Sequence, residues 1–504
     1  DKDAPPAHES LWWCHEGHRA VRQGDWKLVA AKGTPWELYD LAADRCETQD
    51  VAAVHPGRIV ELEAEWNRIA EECRALAAQQ LPGDEPAPKA RRTSRRRPNI
   101  IYVMTDDQGY GDIAAHGNPV LSTPNLDRFR AQSVRLTEFH ASPTCAPTRA
   151  ALLTGRHEFR SGVTHTIHER ERLALSAVTL LEILRRLGGY TTGIFGKWHL
   201  GDEDAYQPGQ RGFDRVFIHG GGGIGQSYPG SCGDAPGNTY LDPIIRSDGT
   251  FVNTKGYCTD VFFDEAIRWI DAARKSDAAF FCYLTPHAPL DCPTGSDAKY
   301  LTPLEEVGVT DLKQRAEIAK FYGMIENIDT NMGRLLARLD EWGLADDTLV
   351  VFTTDNGTAT GARVCNAGMR GQKGTVYRGG TRVPALWRWP GMLPAGMDVS
   401  AVTAHIDVLP TLCDIADVEL PATVADRLEG RSFAPLLRGA RMAWPDRLLV
   451  THLGRWWASV QPDLINENFD GPAENPFMVA FRDQDGGADV REREGLSLRK
   501  SPTN

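Results

Sequence analysis

Four stretches of the sequence run through apolar residues almost without a break and stop on groups able to do chemistry. They are NIIYVMTDD (Asn99–Asp107), YTTGIFGKWH (Tyr190–His199), AAFFCYLTPH (Ala278–His287) and TLVVFTTDN (Thr348–Asn356). Their ends carry Asp106, Asp107, Lys197, His199, His287, Asp355 and Asn356. The carboxylates and the amide make a hard-oxygen donor set, suited to calcium or magnesium. Lys197, His199 and His287, joined by Arg149 and Lys373, add cations and proton donors. A divalent cation among basic side chains is matched to a tetrahedral oxyanion. Transfer of such a group needs positioning, clamping of charge on its peripheral oxygens and acid help for the leaving oxygen. It also needs a nucleophile, and SPTCAPTRAALLTGR (Ser142–Arg156) offers Ser142, Thr144, Cys145 and Thr148.

These groups work together only if the fold gathers them. Fully apolar strands suit a parallel sheet covered on both faces. Helical patterns lie between the runs, at Ala177–Leu187 and at Ala316–Trp342, where Ile318, Phe321, Ile325, Ile328, Leu335 and Leu339 share a face. The alternation predicts an α/β layered domain with a mostly parallel sheet. In such sheets ligands bind outside the carboxyl ends of the strands. One or two polar strand ends would mean little, since every strand must reach solvent. Four ends loaded with acids, an amide, imidazoles and a lysine read as an active site.

The chain has 504 residues, with 68 Asp+Glu against 56 Lys+Arg, a formal net charge of −12, 41% hydrophobic and 25% charged residues. That length allows about two to four structural units, and the composition is that of a soluble globular protein. No apolar run approaches the roughly 18 residues of a membrane span. The acidic balance argues against a general nucleic-acid binder, whose phosphate contacts need basic surface. Ten cysteines without a Cys-x-x-Cys support neither a disulfide scaffold nor a structural zinc site; the even count is compatible with some pairing in an oxidising compartment, and buried free thiols fit at least as well. The opening DKDAPPAHES has no secretory-signal pattern and no initiator Met, a reading that leaves a removed leader, a fragment and the compartment open.

Residues 1–80 read as a small unit. Arg19–Ala31 alternates and turns at Gly24-Asp25, PWELYDL adds a second strand, and a helix opens at His55-Pro56. Its residues Ile59, Leu62, Trp66, Ile69, Cys73 and Leu76 lie on one face, to pack on a small sheet. Residues 81–98, rich in Pro and Arg, read as a linker, and residues 455–504 as a polar, weakly periodic tail. The run Gly220–Gly223 lacks the Lys-Ser/Thr of a phosphate loop and reads as a loop near the substrate entrance. His165 is a candidate for lining the substrate pocket, with a surface role fitting equally well. Trp12, Trp13, Trp456 and Trp457 are more simply packing residues than sugar platforms.

The segment Cys145-Ala146-Pro147-Thr148-Arg149, followed by Gly155-Arg156, matches the sulfatase signature Cys-x-Pro-x-Arg with its downstream Gly-Arg. RPNIIYVMTDDQGYGD, GKWHLG, TPHAPL, TDNG and MRGQKGTVYRGGTRVP follow the same family order. Over residues 97–454 the chain resembles the arylsulfatase-type sulfatases of the alkaline phosphatase superfamily. The resemblance implies an alkaline-phosphatase-like central sheet flanked by helices, with a small antiparallel sheet-and-helix subdomain beside a catalytic domain at 99–454. It implies hydrolysis of sulfate esters by formylglycine, made from Cys145 by a maturation enzyme. The aldehyde hydrates, one hydroxyl attacks sulfur, and the second hydroxyl's proton loss then releases sulfate from the covalent ester. It makes Asp106, Asp107, Asp355 and Asn356 calcium ligands, together with an oxygen of residue 145. It assigns Arg149 to the diol, His199 to elimination, Lys197 and Lys373 to the sulfate oxygens, and His287 to the leaving alcohol, near neutral pH because of the native histidine pKa. Sulfated small molecules and glycans are the implied substrates.

Two departures stand out. YRGG carries Arg378 where relatives have an acid, which leaves the local hydrogen bonding open. The text of the family's C-terminal sheet and helix appears at residues 18–70, ahead of the catalytic domain. A circular permutant, a fusion of two sulfatases and a sequence with altered ends all fit. The first two predict that Trp26–Val29 and Trp36–Tyr39 dock beside the catalytic domain. A phosphodiesterase or phosphonate monoester hydrolase of the same superfamily, and an inactive relative that only binds ligand, are the alternative functions.

Overall fold

A computed structural model describes residues 11–15, 18–31, 33–44, 47–78, 97–163, 165–166, 172–226, 234–235, 237–276, 278–287, 292–440, 442, 444, 447, 449–453 and 478–482. Two compact units make up the chain, the smaller drawn mainly from Asp1–Pro82 and the larger mainly from Gly83–Leu453.

The smaller unit is an antiparallel meander of β1 (Leu11–His15), β2 (His18–Gln23), β3 (Trp26–Ala30) and β4 (Glu37–Asp40) under the helix α1 (Pro56–Ala78). Gln23 pairs with Trp26, so Gly24-Asp25 is a two-residue hairpin turn, and Gly24 takes the left-handed φ of +59° such turns need. Leu62, Trp66 and Ala70, four residues apart on α1, pack on Val21, Leu28 and Leu38 of the sheet. Burying each of the larger aliphatic chains stabilises the unit by about 1.5–3 kcal/mol. The Trp12 indole donates to the Trp66 carbonyl at 3.1 Å, which makes it a packing residue. Strand β1 is an addition to the sequence reading, because five residues give too short a window to display alternation.

The larger unit is built on ten strands: β5 (Asn99–Thr105), β6 (Val134–Leu136), β8 (Thr191–Lys197), β9 (Arg215–His219), β10 (Ile244–Ser247), β11 (Thr250–Asn253), β12 (Phe280–Thr285), β13 (Thr348–Thr354), β14 (Ala385–Arg388) and β15 (Asp398–Val399). Separately, β7 (Phe139–His140) pairs with β16 (Thr403–Ala404), and β17 (Leu449–Leu453) with β18 (Met478–Arg482). The last strand lies within the tail, where FMVAF is a short apolar run that the surrounding polar text hides. The large sheet runs in the order β11-β10-β9-β8-β12-β5-β13-β14-β6-β15. Strands β9, β8, β12, β5 and β13 are mutually parallel, and antiparallel strands flank them. Helices α2 (Pro124–Ala131), α3 (Cys145–Thr154), α4 (Leu180–Arg186), α5 (Cys258–Ala273), α6 (Leu301–Glu306) and α7 (Leu312–Glu341) come from the connections.

Both faces of the sheet are covered, which is why its strands are apolar throughout. Ile100, Tyr102 and Met104 of β5 join one core with residues of α3 and α4, while Ile101 and Val103 join the other with residues of α5 and α7. The fold class is thus the expected one, a mixed, mostly parallel sheet between helices with a small antiparallel sheet besides.

Candidate active site

The four apolar runs are neighbours in the sheet, in the order β8-β12-β5-β13. Being parallel, they deliver their chemical groups to one edge. Lys197 closes β8, Asp106 and Asp107 follow β5, and Asp355 and Asn356 follow β13. His199 and His287 each stand two residues past their strands. Asp107 and His199 adopt left-handed φ values of +60° and +61°. For non-glycine residues this costs of order 1–3 kcal/mol, the kind of strain held at functional sites.

Cys145 is the first residue of α3, a helix buried at every position. Arg149, four residues on, lies one turn along the same face. Pro147 falls in the first turn, where a backbone N–H has no partner inside the helix, so its missing donor costs nothing. The spacing Cys-x-Pro-x-Arg is therefore a helix-start geometry that sends a thiol and a guanidinium into one pocket. Lys373 arrives on a loop whose backbone is pinned at two points: Lys373 donates to the Thr358 carbonyl at 3.0 Å and Gly374 to the Pro143 carbonyl at 2.9 Å.

Asp106, Asp107, Cys145, Arg149, Lys197, His199, His287, Asp355 and Asn356 are all at most 2% exposed, and the Lys373 side chain is 30% exposed. Lys197 Nζ donates to Asp106 Oδ2 at 2.8 Å, and His287 Nδ1 lies 3.2 Å from the same oxygen. Lys373 Nζ donates to Asp107 Oδ2 at 2.6 Å, and Asn356 Nδ2 to Asp107 Oδ1 at 2.8 Å. Arg149 reaches Asp355 Oδ2 through Nη2 at 2.6 Å and Nε at 3.1 Å, and donates to the Lys197 carbonyl at 3.1 Å. All ten residues singled out in the sequence thus stand in or at the rim of one buried polar cluster.

The charges constrain one another. Burial pushes the Asp106 carboxyl up, but Lys197, His287, Lys373 and Arg149 together outweigh it and hold the group well below the usual range. For Asp107, burial prevails over Lys373 and the pKa rises. Burial and then the Asp106 charge lift Asp355 to about 7, against Arg149. Burial pushes the Cys145 thiol up to about 11, in spite of Lys197 and Lys373. His199 is held well below its ordinary value by burial, then by Lys197 and Arg149. Burial carries His287 down to about 3, against the pull of Asp106. The sequence expectation of a native histidine pKa at this position is therefore corrected: the ring is neutral near pH 7 and has one N–H to give.

Each of the three buried carboxylates has a basic partner, and the set still keeps oxygens that fit a hard cation. Asp106 Oδ1 and Asn356 Oδ1 are buried without a hydrogen-bond partner among the described residues. Asn356 spends its NH₂ on Asp107 Oδ1 and the Gly357 carbonyl, which leaves its oxygen free to coordinate. Ligand atoms of Asp106, Asp107 and Cys145 lie within 4.8 Å of one another. Carboxylate and amide oxygens suit calcium or magnesium.

The glycine run at 220–223 is part of this cluster. The Gly222 carbonyl lies 2.9 Å from His287 Nε2, and a Cβ on Gly222 would stand 3.2 Å from the His199 ring. The sequence reading overlooked His219, at the end of β9 against the His287 ring. Its signal was present, since RVFIH is a further apolar run ending in an imidazole. Arg378 donates to Glu138 Oε1, so an acid from a distant strand end answers the missing local one. His165 Nδ1 lies 2.9 Å from Oγ1 of its neighbour Thr166, and Trp456, Trp457 and most of the tail lie outside the described residues. Cys145, Cys258, Cys282 and Cys413 are buried free thiols. No described helix is long and apolar enough to cross a membrane.

The model of the family described as Sulfatase matches residues 98–418, more than half of the chain. Human (Homo sapiens) arylsulfatase A is 32% identical over 371 residues, covering 68% of this chain and 68% of that protein. Mouse (Mus musculus) steryl-sulfatase is 32% identical over 443 residues, covering 72% of this chain and 67% of its own length. Among solved structures, Ps i-CgsB in complex with k-i-k-neocarrahexaose superposes with a TM-score of 0.64 at 25% identity, over 77% of this chain and 82% of the other. The phosphonate monoester hydrolase of Agrobacterium radiobacter shares the fold, with a TM-score of 0.54 at 22% identity, over 77% of this chain and 86% of the other. The chain belongs to the sulfatase family, as an arylsulfatase-type sulfuric ester hydrolase of the alkaline phosphatase superfamily.

Proposed function

We propose that this hydrolase cleaves sulfate esters of small molecules or glycans with formylglycine at position 145 as nucleophile and calcium held by Asp106, Asp107, Asp355, Asn356 and residue 145. The observation that carries the reading is the convergence of Cys145 with two carboxylates, its ligand atom within 4.8 Å of theirs. Calcium bound there would polarise sulfate oxygens and steady the nucleophile.

The chain's own side chains supply the rest. Arg149, fixed by Asp355 and the Lys197 carbonyl, holds the nucleophile's oxygen from one turn along α3. Lys197 and Lys373 give ammonium groups to the sulfate oxygens, and each already rests on a carboxylate that keeps it charged. His199, neutral in its buried setting, accepts the proton that frees sulfate. His287 donates its N–H to the leaving oxygen. Burial of Cys145 at 2% exposure means that a maturation enzyme must meet its segment before the fold closes. The same reading makes residues 1–80 the counterpart of the family's C-terminal subdomain, carried at the front of the chain.

The test is expression with a formylglycine-generating enzyme, peptide mass spectrometry across Cys145, and release of sulfate from matched esters. Conversion of Cys145 with sulfate release is expected. A persistent thiol without sulfate release, or clear preference for phosphodiesters over matched sulfates, overturns the proposal.

A further inference from the structure

His219 closes β9 directly opposite Lys197 in the register of the two strands. Its side chain is fully buried at 0% exposure, and neither ring nitrogen has a hydrogen-bond partner among the described residues. Its ring lies 6.0 Å from Phe262 and 4.9 Å from His287, centroid to centroid, tilted 35° to the latter. An imidazole buried beside a phenyl ring with both nitrogens unpaired destabilises the fold, where a phenylalanine or leucine would not. Stability does not explain a histidine here.

The neighbouring ring does. His287 Nε2 lies 2.9 Å from the Gly222 carbonyl, while Nδ1, 3.2 Å from Asp106 Oδ2, is buried without a hydrogen-bond partner among the described residues. When Nε2 turns its N–H to a leaving oxygen it gives up the Gly222 carbonyl, the ring's one hydrogen bond among the described residues. The ring then needs another hydrogen bond to fix its tautomer and rotamer. Tyr240 meets His287 edge-on at 5.5 Å, and its hydroxyl lies beside Gly223, about where a Cβ there would crowd it at 3.0 Å. His219, against the ring on the sheet side, has two nitrogens to offer.

We infer that His219 is a positioning residue for the leaving-group step: one of its nitrogens takes up the His287 ring when that ring presents its N–H to the leaving oxygen. The inference rests on the proposed role of His287, so its test separates the two. The matured full-length enzyme is assayed on alkyl sulfates, which need help for the departing oxygen, and on aryl sulfates of strongly acidic phenols, which need little. His219→Phe keeps a ring without nitrogens, and His219→Leu removes the ring as well.

Both variants should lower kcat on alkyl sulfates by about 10–100-fold and on the acidic aryl sulfates by less than about threefold, with KM little changed. His287→Ala should show the same bias, more strongly. Equal loss on both ester classes, or retained alkyl sulfatase activity in both variants, overturns the inference. So does a normal His219→Phe beside an impaired His219→Leu, which would assign His219 to shape alone. If His287→Ala shows no bias, the role of His287 falls and the inference with it. If only His219 variants lack the bias, the role of His287 stands and the inference alone fails.

Discussion

Lys197 Nζ and Asp106 Oδ2 meet at 2.8 Å with side chains 0% and 1% exposed. An ion pair so removed from water is costly to break, because removal of one partner leaves the other charged and buried, roughly a 3–5 kcal/mol loss. Lys197→Ala should therefore lower the melting temperature and reduce kcat/KM on sulfate esters by about 100-fold or more, as loss of a charge-stabilising donor does elsewhere. Lys197→Arg should not restore the rate, since a planar guanidinium does not reproduce a point charge in a closed pocket. Purified variants, thermal melts and steady-state kinetics check both statements. Near-wild-type turnover by Lys197→Ala would remove Lys197 from the chemistry.

The unpaired oxygens of Asp106 and Asn356 lead to a prediction about calcium. An ion that binds only the native state stabilises it by about 2.7 kcal/mol at a concentration 100 times its Kd. Calcium should raise the melting temperature of the wild type, and chelation should lower it and abolish hydrolysis. Asp107→Asn and Asn356→Ala should flatten the thermal response to calcium even where activity is too low to measure. Melting curves that coincide with and without calcium would rule the site out.

Asp106, Asp107, Lys197, His199, His287, Asp355 and Asn356 were legible because they stand at the ends of apolar runs, and a sheet buried on both faces can only be apolar up to its edge; Cys145 and Arg149 were legible from the Cys-x-Pro-x-Arg motif. What long-range contact decides was not legible. Lys373 meets Asp107 across 266 positions, and Glu138 answers Arg378 across 240, distances at which no local pattern speaks. His219 ends a five-residue strand of the same design as the others, but that strand is short and opens on Arg215, which gives little local signal. The acid strength of His287 was misjudged for a physical reason: sequence shows the ring, whereas burial sets its pKa. Strands β1 and β18 escaped because they are short and stand in text dominated by other signals.

Asp112 gives a pH dependence with a definite sign. It is fully buried, accepts from the Gly109 N–H at 2.8 Å, and burial lifts its pKa from 3.8 to about 7, against hydrogen bonds from Thr358 and Gly109. The folded chain thus binds a proton at this site that the unfolded chain has already released. The associated stability is complete below about pH 4 and is lost as pH rises through about 7. Asp112→Asn removes that titration, so its stability relative to wild type should improve steadily between pH 4 and 8. Denaturant melts at several pH values, with calcium held constant, measure the difference. Parallel curves for the two proteins would show that Asp112 does not titrate in this window.

Residues 1–80 invite a test that leaves the catalytic groups untouched. If they serve as the family's C-terminal subdomain, the chain continuity through residues 81–98 is dispensable once folding is complete. Val21, Leu28, Leu38 and Leu62 give the small unit a core of its own, but a core of this size supports an isolated domain only marginally. A specific protease site placed within 81–98 should be cleavable without loss of sulfatase activity, and the two pieces should elute together from a sizing column. Trp66→Ala, which removes an indole packed between Trp12 and Trp36, should loosen that association after cleavage, since such truncations cost about 3–5 kcal/mol. Pieces that separate on cleavage while activity persists would make residues 1–80 a fused passenger.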